Sequence, residues 1–111
     1  MPLDMKSSLE GTTAKLQLAG ELDGASAPAV RTELEQLLTK KLDRLVLQVE
    51  KLTFMASAGL RIIIFAKQRQ PQLKIYIIRP QEAIVETLRK TGFYDAVYVQ
   101  DTEPEGEAAA H

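Results

Sequence analysis

Hydrophobic and polar positions alternate along this chain in runs that change period, and the changes mark its elements. Residues 4–9 predict a short edge strand, with Gly11-Thr12 as the turn after it. Ala14-Lys15-Leu16-Gln17-Leu18-Ala19 alternates apolar or small with polar, the pattern of a half-buried strand, and Gly20-Glu21-Leu22-Asp23-Gly24 breaks it. Val30, Leu34, Leu37 and Leu38 recur at helical spacing, predicting a helix over 27–41 with Ser26 as its cap and Pro28 in its first turn. Leu45, Leu47 and Val49 give the next strand one face. A second helix is expected over 58–68, apolar nearly all round and therefore read as buried.

Pro71 closes that helix, and Leu73 to Ile78 predicts a further strand. A helix over 81–90 turns Ile84, Val85 and Leu88 inward, with Gly92 at its C-terminal exit. Ala96 to Val99 predicts a last short strand, and from Asp101 the chain becomes acidic and alanine-rich, an expected disordered tail over 101–111. Strands alternating with helices imply an α/β fold: a mostly parallel sheet of four to five strands packed with helices, the early pair forming an antiparallel edge. One domain over 1–100 accounts for it.

The stretch Leu52-Thr53-Phe54-Met55-Ala56-Ser57-Ala58-Gly59-Leu60 crosses from strand to helix, and the rest of the chain is organised around it. Phe54 and Met55 read as core residues at the strand end. Ser57 stands where the helix should begin. A helix N-terminus carries unpaired N–H groups and partial positive charge, so a phosphate on Ser57 would be well placed. Local sequence favours the plainer role of N-cap, which serine fills well. Gly59 lets the first turn approach a neighbouring strand, and Asp23 reads equally as a turn carboxylate or a contact residue.

Composition narrows the chemistry. Of 111 residues with a formal net charge of −1, none is cysteine and the single histidine is His111. Thiolate or imidazole catalysis and Cys/His metal sites have no residues inside the fold, no glycine-rich phosphate loop is present, and no basic field invites nucleic acid. The start is too polar for a signal peptide and no apolar run suits a membrane span. The expectation is a cytoplasmic module without catalytic residues, cofactor or metal. A small α/β enzyme or nucleotide-binding domain is the weakest alternative.

Gly20-Glu21-Leu22-Asp23, Phe54-Met55-Ala56-Ser57-Ala58-Gly59-Leu60 and Leu88-Arg89-Lys90-Thr91-Gly92-Phe93, in this order, resemble bacterial anti-sigma factor antagonists of the STAS type. The resemblance spans 4–100. It implies partner switching: an anti-sigma serine kinase phosphorylates the serine after the third strand, here Ser57, and releases the antagonist, and a PP2C-type phosphatase restores it. It also implies a docking surface around Asp23, Met55, Ala56, Ala58, Gly59 and Arg61, and a monomer when alone. The family usually has aspartate before the serine and a second hydroxyl after it, where this chain has Ala56 and Ala58. Those two alanines favour an alternative, an unphosphorylated STAS scaffold subunit of a signalling or transporter complex. Arg61, one helical turn beyond Ser57, is the expected partner of a phosphate there.

Overall fold

The computed structural model describes residues 2–104. Its elements are β1 (Asp4–Glu10), β2 (Thr13–Leu22), α1 (Ala27–Leu37), β3 (Arg44–Met55), α2 (Ser57–Arg69), β4 (Lys74–Ile78), α3 (Glu82–Lys90), a 3-10 turn (Tyr94–Ala96) and β5 (Tyr98–Gln100). One five-stranded sheet follows chain order, β1-β2-β3-β4-β5, with β1 antiparallel to β2 and every later pair parallel. Parallel crossovers are right-handed, so strands added always in one direction send their helices to one face. Accordingly Leu34 of α1, Ile63 of α2 and Ile84 and Leu88 of α3 share a single core with Leu16, Leu45, Val49 and Ile77 of the sheet. On the opposite face, Val46, Tyr76 and Ile78 form a small separate cluster.

The pattern-based expectations hold for the order and type of the elements and shift at their ends. α1 stops at Leu37, not at residue 41, and the last strand begins at Tyr98 because residues 94–96 take a 3-10 turn. Val85 is only half-buried, whereas Ile84 and Leu88 are fully enclosed. Gly92 behaves as expected: at φ 83 it ends α3, with its N–H on the Arg89 carbonyl and the Phe93 N–H on the Leu88 carbonyl. Of the expected acidic tail, residues 101–104 are described and 105–111 lie outside the described residues.

The largest departure is in β2 and β3. Neither strand ends where its alternation fails: β2 continues through Gly20-Glu21-Leu22, and β3 runs to Met55. The pairing Gln17↔Gln48 is followed by Ala19↔Lys51, and Gly20↔Leu52 by Glu21↔Phe54. At each step β3 advances one residue more than β2, so β3 carries two bulges. A bulge flips the faces of the residues beyond it. Inward positions therefore run Leu45, Leu47, Val49, then Leu52, then Met55. Phe54, expected in the core, is turned out and is 48% exposed.

Candidate functional site

Parallel pairing of β2 with β3 brings both of their C-terminal ends to one edge of the sheet, with Leu22 paired to Met55. The residues that follow, Asp23 on one strand and Ala56-Ser57 on the other, thus emerge side by side. Two further bonds fix this edge: the Ala56 N–H donates to the Leu22 carbonyl (2.9 Å), and the Thr53 hydroxyl to the Gly20 carbonyl (3.0 Å). Gly20 itself sits at φ 103, where a Cβ would fall 2.3 Å from the Pro2 carbonyl oxygen. Only glycine suits that position.

Gly59 joins the two sequence motifs. A Cβ on it would stand 2.8 Å from Met55 Cγ and 2.9 Å from Leu22 Cδ2. The first turn of α2 therefore rests directly on Leu22 and Met55, which are 2% and 5% exposed. Met55 and Gly59, expected among the contact residues, are both buried and shape the surface from beneath.

Above them, Ser57 is exposed and is the first helical residue. This corrects its reading as N-cap. Because β3 extends to Met55, the one connecting residue is Ala56, which holds the cap position in extended conformation (φ −88, ψ 176) and has no side chain able to cap. The Ser57 hydroxyl has no hydrogen-bond partner among the described residues. It stands at the positive end of α2, whose first turn contains no acidic residue.

Asp23 is a turn carboxylate. Its Oδ1 accepts the N–H groups of Ala25 and Ser26, both at 3.0 Å. Ser26 does not cap α1 with its side chain; its Oγ instead donates to the Glu21 carbonyl and accepts the Asp23 N–H. The Ser26 N–H first, then the Ser26 hydroxyl and the Ala25 N–H, hold the Asp23 carboxyl below its ordinary value of 3.8, against partial desolvation. The loop beside Ser57 is thus internally tied and negatively charged at neutral pH.

Along α2 the exposed positions are Ser57, Arg61, Ile64 and Gln68, spaced four, three and four residues apart, together with Arg69 at its last residue. That spacing makes one solvent-facing stripe, so α2 is not enclosed all round. Arg61, one turn from Ser57, has no ion-pair partner among the described residues. Ile64, 37% exposed, was missed by the sequence reading, although its offset of seven from Ser57 signalled it. Phe65, next to the stripe, lies between the guanidinium groups of Arg31 (4.3 Å) and Arg69 (5.5 Å) and fastens α2 to α1. Among the described residues no group of His, Cys, Asp and Glu could hold a metal ion, and no helix is long and apolar enough to cross a membrane.

Comparison with known proteins bears on the fold. No curated protein matches the chain in sequence. Among solved structures, the anti-sigma factor antagonist SpoIIAA in its unphosphorylated form superposes with a TM-score of 0.79 at 17% identity, over 96% of this chain and 93% of that one. An anti-sigma factor antagonist from Mycobacterium paratuberculosis gives 0.81 at 17% identity, over 96% and 92%. The Bacillus protein SpoIIAA in its phosphorylated form gives 0.71 at 17%, over 96% and 97%. The model of the STAS domain matches residues 8–106, nearly the whole described fold. The chain belongs to the STAS domain family.

Proposed function

We propose that this protein is an anti-sigma factor antagonist that docks on an anti-sigma serine kinase through the Asp23 loop and the first turns of α2, and that phosphorylation of Ser57 releases it. The observation that carries the reading is the state of Ser57: exposed, first in the helix, and free of the capping bond that would have given its hydroxyl a structural duty. Solved relatives named as anti-sigma factor antagonists, one of them in a phosphorylated form, support the general role.

A phosphate would add roughly −1.5 to −2 charges. On the free protein it is tolerated: α2 begins at Ser57, and Arg61 lies one turn away. Docked, the same phosphate meets the partner's surface beside the anionic Asp23 loop, and repulsion with desolvation weakens the complex without refolding either protein. A PP2C-type phosphatase completes the cycle. No catalytic residue or cofactor enters this scheme.

The test is titration of the purified kinase partner with the wild type, Ser57→Ala and Ser57→Asp. The reading expects Ser57→Ala to bind like the wild type and Ser57→Asp to bind at least tenfold more weakly, a loss of about 1.4 kcal/mol. Equal binding by all three would instead favour a constitutive scaffold, the role to which Ala56 and Ala58 point.

A further inference from the structure

Four large apolar side chains are exposed among the described residues: Leu9, Phe54, Ile64 and Tyr98. Leu9 lies on the edge strand β1, and Tyr98 on β5 stacks against Tyr76 with ring centroids 4.9 Å apart. The other two bracket Ser57 in the chain, Phe54 three residues before it and Ile64 seven residues after. Neither belongs to a core cluster, and Phe54 makes no ring contact among the described residues.

The backbone itself turns Phe54 out. Leu52 faces inward, so unbroken alternation beyond it would carry Phe54 into the core. The second bulge, between Gly20↔Leu52 and Glu21↔Phe54, exposes Phe54 and sends Met55 inward instead. Bulges recur beside functional sites, where they re-aim a side chain. On α2, Ile64 faces outward because it shares the stripe of Ser57 and Arg61.

Both side chains fall within one docking footprint around Ser57. Three residues of chain span at most about 11 Å, and seven residues of helix rise about 10.5 Å. A standard interface covers about 800 Å² on each partner, a disc of about 16 Å radius. Centred on Ser57, such a disc takes in both. Ala56 and Ala58, on either side of Ser57, add no charge there. Arg61 can keep its guanidinium in water while its aliphatic stem joins the contact.

We propose that Phe54 and Ile64 are the apolar anchors of the docked complex, and that Ser57 lies within the surface they dry. The inference rests on the kinase docking proposed above and adds the partner's chemistry: a kinase surface with apolar pockets for these two side chains. Aromatic anchors at the desolvated centre of an interface carry much of its binding energy. Release then follows chiefly from desolvation, because a phosphate in that patch must shed its hydration on docking.

Phe54→Ala and Ile64→Ala would be titrated calorimetrically against the purified kinase, beside the wild type and Leu9→Ala, whose side chain is about as exposed as that of Ile64. Each of the first two is expected to weaken binding at least tenfold and to make its heat-capacity change less negative, while unfolding as cooperatively as the wild type. Leu9→Ala should bind like the wild type. The weakening caused by Ser57→Asp should persist at about 1 M salt, where the screening length is about 3 Å. Wild-type affinity in Phe54→Ala or Ile64→Ala would overturn the inference and leave the docking intact. So would loss of the Ser57→Asp effect at high salt, which would assign release to repulsion by the Asp23 loop. A wild type that dimerises alone and becomes monomeric on Phe54→Ala would also overturn it, the occupant then being a second copy. No kinase binding by the wild type would refute the docking itself, and the inference with it.

Discussion

Gly59→Ala tests whether α2 is seated as described. Alanine normally stabilises an exposed helical position by about 1 kcal/mol over glycine, and the backbone of Gly59 is not in the left-handed region. Conformation alone therefore predicts a gain. The packing predicts a loss: the new Cβ would lie 2.8 Å from Met55 Cγ, 2.9 Å from Leu22 Cδ2 and 3.0 Å from Leu22 Cγ. Both neighbours are enclosed, so neither side chain can swing into solvent. Overpacking of this kind costs about 1–3 kcal/mol. Set against the helical gain, the net is a destabilisation of up to about 2 kcal/mol. With a urea slope of about 2 kcal/mol/M, the unfolding midpoint should fall by up to about 1 M, with the slope unchanged. The same substitution should lift the first turn and weaken kinase binding. A midpoint that rises, as for an ordinary helical glycine, would refute the close seating of α2 on Leu22 and Met55.

Other substitutions separate the remaining parts of the account. Ser57→Ala should change stability by less than about 0.5 kcal/mol in urea unfolding, because its hydroxyl caps nothing; a true N-cap would cost about 1 kcal/mol. Asp23 has a folded pKa below its unfolded value near 3.8, so its contribution is present above pH 3.8 and is lost as pH falls through the folded pKa. Asp23→Asn should therefore shrink the drop in unfolding midpoint between pH 6 and pH 2.5. Glu103→Gln should destabilise by about 0.5–1 kcal/mol at low salt and by much less at about 1 M, since Lys15 and Glu103 are each about one-third exposed. Arg61→Ala should leave the unphosphorylated protein's melting temperature unchanged and lower that of the phosphorylated form, which differential scanning calorimetry would show.

Much of this architecture is legible in the residue pattern because period-2 and helical-period runs report burial directly. Leu45-Leu47-Val49, Ile75-Ile77 and Ile84-Leu88 all face the common core. Pattern fails where the sheet itself is irregular. Two extra residues in β3 reverse its faces at Lys51 and Phe54, which made a twelve-residue strand look like a shorter strand followed by a loop. The same error displaced the cap: had β3 ended at Glu50, Ser57 could have been the residue before the helix, whereas a strand reaching Met55 leaves only Ala56 there. Asp23 and Ser57 were legible as residues, but their adjacency was legible only through the family resemblance, because the residue pattern alone does not make β2 and β3 neighbours. Ser26 could not be assigned from local sequence, since cap and turn roles call for the same hydroxyl, and only the Glu21 carbonyl decides between them.

The central claim is that Ser57 is the phosphoacceptor of a partner switch, and intact mass tests it most directly. Wild type and Ser57→Ala would each be incubated with ATP and the cognate anti-sigma kinase. The account predicts a gain of one phosphate by the wild type alone, with the phosphorylated protein no longer retained by the kinase. No phosphate on either protein while both still bind the kinase stably would contradict it, and would leave a STAS domain that docks without being switched.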